Sequence, residues 1–305
     1  MIALTKVREL DLSAAPAAGR PLHLSAASGL VRVQSFIYVV ADDELHLGVF
    51  PAVGSEPGRL IRLFDGALPD SKRKRKKQKP DLEALTLLPA FGDYRHGALL
   101  AFGSGSRSNR RTGALLRLDG HGAVRGSPHA IDLSPMLAPL DEKFPKLNIE
   151  GAVVSRDELR LFQRGNKRDA ENAIIRFRFS LLLELLSSGS VGAVKPFAIE
   201  RFDLGQIDGI PLCFTDAAAL PNGDMVFTAV AEDIDDNYND GPCAGAATGI
   251  VGNNGHLCSL HRLRQPCKIE GVDARPDGDA VRLLLVTDAD DPDIPASLFS
   301  ATMAR

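Results

Sequence analysis

Apolar and polar positions alternate along this chain in short runs that recur in sets. Five segments open a set: Ala27-Ser28-Gly29-Leu30-Val31, Asp81-Leu82-Glu83-Ala84-Leu85, Asn148-Ile149-Glu150-Gly151-Ala152, Phe214-Thr215-Asp216-Ala217-Ala218 and Lys268-Ile269-Glu270-Gly271-Val272. Four carry a carboxylate, then a small residue, then an apolar stretch; in the first, Ser28 takes the acidic slot. The slots, at 28, 83, 150, 216 and 270, lie 55, 67, 66 and 54 residues apart, a period loosened by insertions. A second apolar run follows each slot: Phe36 to Val40, Leu99 to Phe102, Leu159 to Phe162, Met225 to Val230 and Leu283 to Thr287. A polar loop leads to a third, at Leu45 to Phe50, Ala114 to Leu118, Ala173 to Phe177, Thr248 to Val251 and Ser297 to Ala301. A fourth is visible at Leu60 to Leu63, His129 to Leu133 and Ile199 to Leu204, and in the fourth set at Leu257 to Leu263. The runs are rich in β-branched and aromatic residues and too short for helices, so they read as strands. Asp119-Gly120, Asn222-Gly223 and Asp277-Gly278 supply turns.

Four short antiparallel strands per repeat make the blade of a β-propeller. The fold class expected is all-β: a five-bladed propeller, with six blades as the alternative, forming a single domain over residues 1–305. The fifth set reaches the chain end with three strands. Its missing fourth is supplied by residues 6–12, whose Arg8-Glu9-Leu10-Asp11-Leu12 matches Arg201-Phe202-Asp203-Leu204; closure of that kind removes the exposed edge of an open stack. Short helical insertions are expected at Ser134 to Leu140 and Ser180 to Leu186, and residues 70–80 read as a solvated basic linker.

Composition is that of a globular protein, 44% hydrophobic and 25% charged. The net charge of −3 gives no global field towards nucleic acid or membrane. No run is long enough to span a bilayer, and Arg8, Glu9 and Asp11 interrupt any signal-peptide core, so a cytoplasmic location is expected. Cys213, Cys243, Cys258 and Cys267 show no Cys-x-x-Cys spacing, and with His256 and His261 they match no zinc finger, so they read as reduced thiols.

In a propeller the first strand of each blade lines the channel. Its start lies beside the loop joining strands two and three. Glu83, Glu150, Asp216 and Glu270 should therefore gather at one channel mouth, where mutual repulsion calls for a cation or for basic partners. Oxygen donors at adaptable distances suit Ca2+. The alternative is that each acid caps its own strand or pairs with a neighbouring Arg or Lys. The loops at that mouth differ in sign. Arg107, Asn109 and Arg110, then Arg164, Asn166, Lys167 and Arg168, make one side cationic and suited to an anion. Glu232, Asp233, Asp235, Asp236 and Asp240, then Asp288, Asp290, Asp291 and Asp293, make the other acidic. An inter-blade network of ion pairs would use the same residues. The run Lys72 to Lys79 lacks aromatic interleaving, which speaks against nucleic acid as a partner. No nucleophile elbow, phosphate-binding loop or His-Glu-x-x-His is present, so no catalytic side chain is assigned.

Ile149-Glu150-Gly151 and Ile269-Glu270-Gly271, each followed by an apolar strand and a second strand ending in a polar loop, resemble the bacterial phytase-like (esterase-like) β-propellers, mostly of unassigned function. More distantly they resemble the lactonase propellers, which also open inner strands with metal-binding carboxylates. The resemblance implies a calcium-dependent hydrolase of an ester, lactone or phosphate ester. In it Glu83, Glu150, Asp216 and Glu270 would hold metal, and Arg107, Arg110 and Arg164 would orient an anionic substrate. The reading of another class is a non-catalytic propeller that binds a small anion, a peptide or a partner protein at the same face.

Overall fold

The computed structural model describes residues 1–188, 192–233 and 241–305. The chain begins with β1 (Thr5–Glu9) and then lays down blade 1 as β2 (Ala27–Val33), β3 (Phe36–Ala41), β4 (His46–Pro51) and β5 (Arg59–Arg62). Helix α1 (Lys72–Gln78) leads to blade 2, made of β6 (Leu82–Leu88), β7 (Ala98–Gly103), β8 (Thr112–Leu118) and β9 (Val124–Asp132). After α2 (Ser134–Leu137), blade 3 comprises β10 (Ile149–Ser155), β11 (Glu158–Gln163), β12 (Asn172–Arg178) and β13 (Ala198–Phe202), with α3 (Phe179–Ser188) between its last two strands. A small hairpin, β14 (Gln206–Ile207) and β15 (Ile210–Pro211), precedes blade 4: β16 (Cys213–Ala219), β17 (Met225–Glu232), β18 (Cys243–Val251) and β19 (Leu257–Arg262). Blade 5 contains β20 (Ile269–Asp277), β21 (Ala280–Thr287) and β22 (Ser297–Ala304). Its fourth strand is β1, so the sheet order is β1-β22-β21-β20. The protein is a five-bladed propeller. Among the described residues no helix is long and apolar enough to cross a membrane.

The alternating pattern that marked the strands also builds the core. Each blade turns apolar residues to both neighbours, and five buried clusters fill the five interfaces. Phe102, Leu115, Ile149 and Phe177 belong to the one between blades 2 and 3; Phe162, Phe214 and Phe227 to that between blades 3 and 4, where their rings pack edge to face with centroids 5.1–5.2 Å apart. The last cluster, with Leu10, Leu30, Val39 and Leu298, joins blade 5 to blade 1 and completes the ring.

Closure falls slightly upstream of residues 6–12. β1 pairs antiparallel with β22, Thr5 opposite Ser300 and Glu9 opposite Ser297, with a bulge between Lys6 and Arg8. At Leu10 the chain leaves the strand because Leu10 and Leu12 are drawn into the blade 5–blade 1 cluster. The Leu10 N–H still donates to Ala296 O at 2.9 Å, and Leu24 N–H donates to Leu10 O at 3.0 Å. Upstream, Ile2 exchanges backbone hydrogen bonds with the Arg262–Arg264 stretch of blade 4. The first dozen residues thus tie three blades together.

The expected linker over residues 70–80 is instead a docked helix. Arg75 and Lys79, one turn apart, are buried, while Arg73, Lys74 and Lys77 face solvent. The expected helical insertions are present as α2, with the short 3-10 turn Ala138–Leu140, and as α3.

Candidate functional site

The slot is a β-bulge. Between Leu82 and Ala84, Ile149 and Gly151, and Ile269 and Gly271, the innermost strand carries one residue more than its partner, and that residue is Glu83, Glu150 or Glu270. Ser28 occupies the same irregularity in blade 1. A bulge at a rim turns a side chain out of the ladder, which is how these residues reach the mouth. The small residue after the slot has a packing cause. A Cβ on Gly271 would lie 2.1 Å from Ser28 O, and one on Gly29 would lie 2.5 Å from Leu85 N, so the inner strands of adjacent blades touch there.

In blade 4 the bulge falls between Phe214 and Asp216, so Thr215 holds the slot and Asp216 the small-residue position. This corrects the placing of Asp216 with the three glutamates, and the slot spacings become 55, 67, 65 and 55. Asp216 is fully buried and reaches between blades, where its Oδ2 accepts the Val272 N–H at 2.8 Å and the Leu30 N–H also bonds the carboxyl. Among the described residues its Oδ1 has no hydrogen-bond partner. Burial pushes this carboxyl well above the usual range despite those donors.

The three glutamates do not share one cation seat. Glu150 and Glu270 lie on either side of Arg164, whose Nη1 is 3.3 Å from Glu150 Oε2 and 3.7 Å from Glu270 Oε1; its Nη2 pairs with Glu232. Lys268 Nζ lies 2.8 Å from Asp290 Oδ1, 3.4 Å from Glu270 Oε1 and 3.6 Å from Glu232 Oε1. Asp288 accepts the Asp290 N–H at 2.8 Å. Two basic side chains thus supply positive charge to the blade 3–5 side of the mouth, and a four-carboxylate calcium ring is not what the fold assembles. Desolvation still outweighs both cations at Glu270, whose carboxyl is pushed up to about 8.

Glu83 belongs to a second group on blades 1 and 2. Carboxylate oxygens of Asp42, Asp81 and Glu83 all lie within 4.8 Å of one another. Asp81 accepts from Ser104 Oγ and Arg110 Nη1, both at 2.6 Å, and lies 2.8 Å from Lys79 Nζ, which also pairs with Asp42. Asp81 adopts a left-handed backbone (φ 57°), an unusual conformation for a non-glycine residue. Glu83 makes no hydrogen bond or ion pair with any described residue, and burial together with Glu150, Asp81 and Asp42 pushes its carboxyl well above the usual range. α1 arches over this group. Arg75 Nη2 lies 2.9 Å from Glu44 Oε1 and its Nε donates to Asp43 O at 2.8 Å. Arg110 donates to Lys76 O, and Asn109 to the carbonyls of Lys77 and Lys79. Beside the helix opens a small cleft of about 130 Å³, partly open to solvent, lined by Arg20, Asp42, Lys72, Arg75, Lys76 and Asp288 among others.

Of the loop residues expected at the mouth, Arg164, Glu232, Asp288 and Asp290 meet in the blade 3–5 group. Arg110 serves Asp81, and Asn109 caps the end of α1. Arg107 is exposed, Asn166 closes its own loop by accepting the Arg168 and Asp169 N–H groups, and Asp233 pairs with Lys167 at the rim. Asp235, Asp236 and Asp240 lie outside the described residues. Sequence reasoning missed Asp42, Asp81 and Lys79. Asp42 was findable, since Asp42-Asp43-Glu44 is the strand two-to-three loop of blade 1, the position searched in the other blades.

Residues 23–303 match a protein family described as a family of unknown function, DUF6929. No curated protein matches. Among solved structures the chain is similar to a luciferin-regenerating enzyme, at 10% identity and a TM-score of 0.49, over 100% of this chain and 98% of that one. It is also similar to a structure titled for the GH130 family of mannoside phosphorylases, at 11% identity and 0.48, over 97% and 93%. A glycosyl hydrolase from Bacteroides ovatus gives 10% identity and 0.48 over the same shares. Likenesses this remote say nothing of the chemistry at the mouth.

Proposed function

The chain belongs to the DUF6929 family, whose function is unknown, and for this member we propose a cation-dependent ligand-binding propeller whose cation seat is Asp42, Asp81 and Glu83. The observation that carries this reading is the convergence of three carboxylates from two blades, one of which, Glu83, makes no hydrogen bond or ion pair with a described residue and feels the Lys79 ammonium only at longer range. Oxygen-only donors suit a hard divalent ion, Ca2+ before softer metals. Lys79 pairs with two of the three acids and supplies their positive charge when no ion is bound.

Such an ion would supply Lewis acidity to a carbonyl or phosphoryl oxygen. The cleft beside it is lined by six aspartates as well as by basic residues, and its Arg20 and Arg75 already pair with Asp43 and Glu44, so an anionic group on the bound molecule would be met by the ion and by Lys72 and Lys76. Hydrolysis of an ester, lactone or phosphate ester, in keeping with the phytase-like resemblance, is the chemistry this pairing favours. The extensive ion pairing of Arg164 and Lys268 favours, for the remainder of the mouth, a binding role without catalysis.

The test is thermal unfolding against CaCl2 and chelator, together with hydrolysis of p-nitrophenyl acetate and p-nitrophenyl phosphate. Calcium should raise the melting temperature, since an ion at about a hundred times its Kd adds about 2.7 kcal/mol. Glu83→Gln should abolish that response, and Lys79→Met should strengthen it by removing the competing ammonium. No calcium response in the parent or in Lys79→Met refutes the cation seat. A calcium response without turnover leaves a binding module and refutes the hydrolase.

A further inference from the structure

Blades 4 and 5 are separated at the mouth by a second cleft of about 550 Å³, lined by Gly241, Cys243, Cys267, Lys268, Asp288 and Asp290 among others. Two of the four free thiols line this cleft. Cys243 opens β18 opposite Glu232 in the strand register, and Cys267 immediately precedes Lys268. Glu232 and Lys268 are themselves 3.6 Å apart, so the backbone brings both cysteines to the flanks of one ion pair. Both thiols are half-buried and pack on the same apolar cluster between the blades. Burial pushes the Cys267 thiol up to about 11, with a smaller contribution from Cys243. Cys213 is buried in the innermost strand of blade 4, and Cys258 is exposed on β19.

We propose that Cys243 and Cys267 form a reversible redox pair, oxidised by a low-molecular-weight disulfide. One thiol loses its proton and attacks that disulfide, forming a mixed disulfide and releasing one small thiol. The second cysteine, losing its own proton, displaces the other small thiol and closes the Cys243–Cys267 bond. Two protein thiols are oxidised and one small disulfide is reduced to two thiols. The bond would staple blade 4 to blade 5 and hold Lys268 against Glu232. The raised pKa values make the reaction slow at neutral pH, because the thiolate is the attacking form.

The experiment treats the full-length reduced protein with oxidised glutathione at pH 8, blocks remaining thiols and maps the peptides by mass spectrometry. A Cys243–Cys267 link is expected, unchanged in Cys258→Ser and absent in Cys243→Ser and Cys267→Ser. In the Cys258→Ser background oxidation should raise the melting temperature by a few degrees, reversibly with dithiothreitol, because the link closes a loop in the unfolded chain. The Cys267→Ser protein, once its reduced form melts as the parent does, should show no such rise. Glutathione left on either cysteine without a link, linkage only through Cys258 of two molecules, or no disulfide at all would overturn the proposal.

Discussion

Asp216 replaces, in blade 4, the small residue that the other inner strands carry, and its carboxyl bonds N–H groups of blades 5 and 1. Its folded pKa is raised above 3.8. The associated stability is therefore fully present below the unfolded pKa and is lost as pH rises through the folded one. Asp216→Asn keeps an acceptor oxygen for Val272 while removing the charge. Relative to the parent it should gain melting temperature steadily from pH 4 upward. A variant less stable than the parent at pH 8 would mean that the carboxylate is ionised and held by its donors. Asp216→Ala leaves the Val272 N–H without its acceptor and should cost about 1–3 kcal/mol in urea unfolding at pH 4, a cost that shrinks as pH rises and the parent's carboxyl ionises.

At the scale of one element, α1 has two faces with different consequences. Arg73, Lys74 and Lys77 are exposed; changing all three to serine should change the unfolding free energy by less than about 1 kcal/mol, the ordinary range for surface charges. Arg75 is buried against Glu44 and Asp43 O. Removing one partner of a buried pair typically costs about 3–5 kcal/mol, so Arg75→Met should be severely destabilised and open α1 to trypsin. Equal behaviour of the two variants would mean that the helix is not held as described. The basic run gave no sign of this in the sequence, because its apolar content is nil and its partners lie 31 and 32 residues upstream.

For the whole molecule, the first dozen residues link blades 4, 5 and 1. Deleting Met1 to Leu12 exposes the β22 edge and empties part of the blade 5–blade 1 cluster. Calorimetry should show a drop of more than about 10 °C in melting temperature, or no cooperative transition, a cost of several buried leucine-sized side chains and a strand ladder. Melting at the parental temperature would mean that the ring closes without β1.

The sequence by itself favoured five blades over six, a count that the five four-stranded sheets settle, and made legible most strand positions, the N-terminal closure and the three slot glutamates. These follow from period-two alternation and turn residues, which are local along the chain. It also placed Arg164, Glu232, Asp288 and Asp290 at one mouth, because register within a repeat carries loops to a common end. Which acid meets which base was decided only by tertiary structure. Ion pairing depends on side-chain reach across blade boundaries: Arg164 lies 14 residues from Glu150 and 68 from Glu232, yet contacts both. The one-residue error at Asp216 has the same origin, since a bulge shifts register without changing composition. Lys79 and Asp42, 37 residues apart, are partners only because the ring folds α1 back over blade 1, a placement that no local pattern encodes.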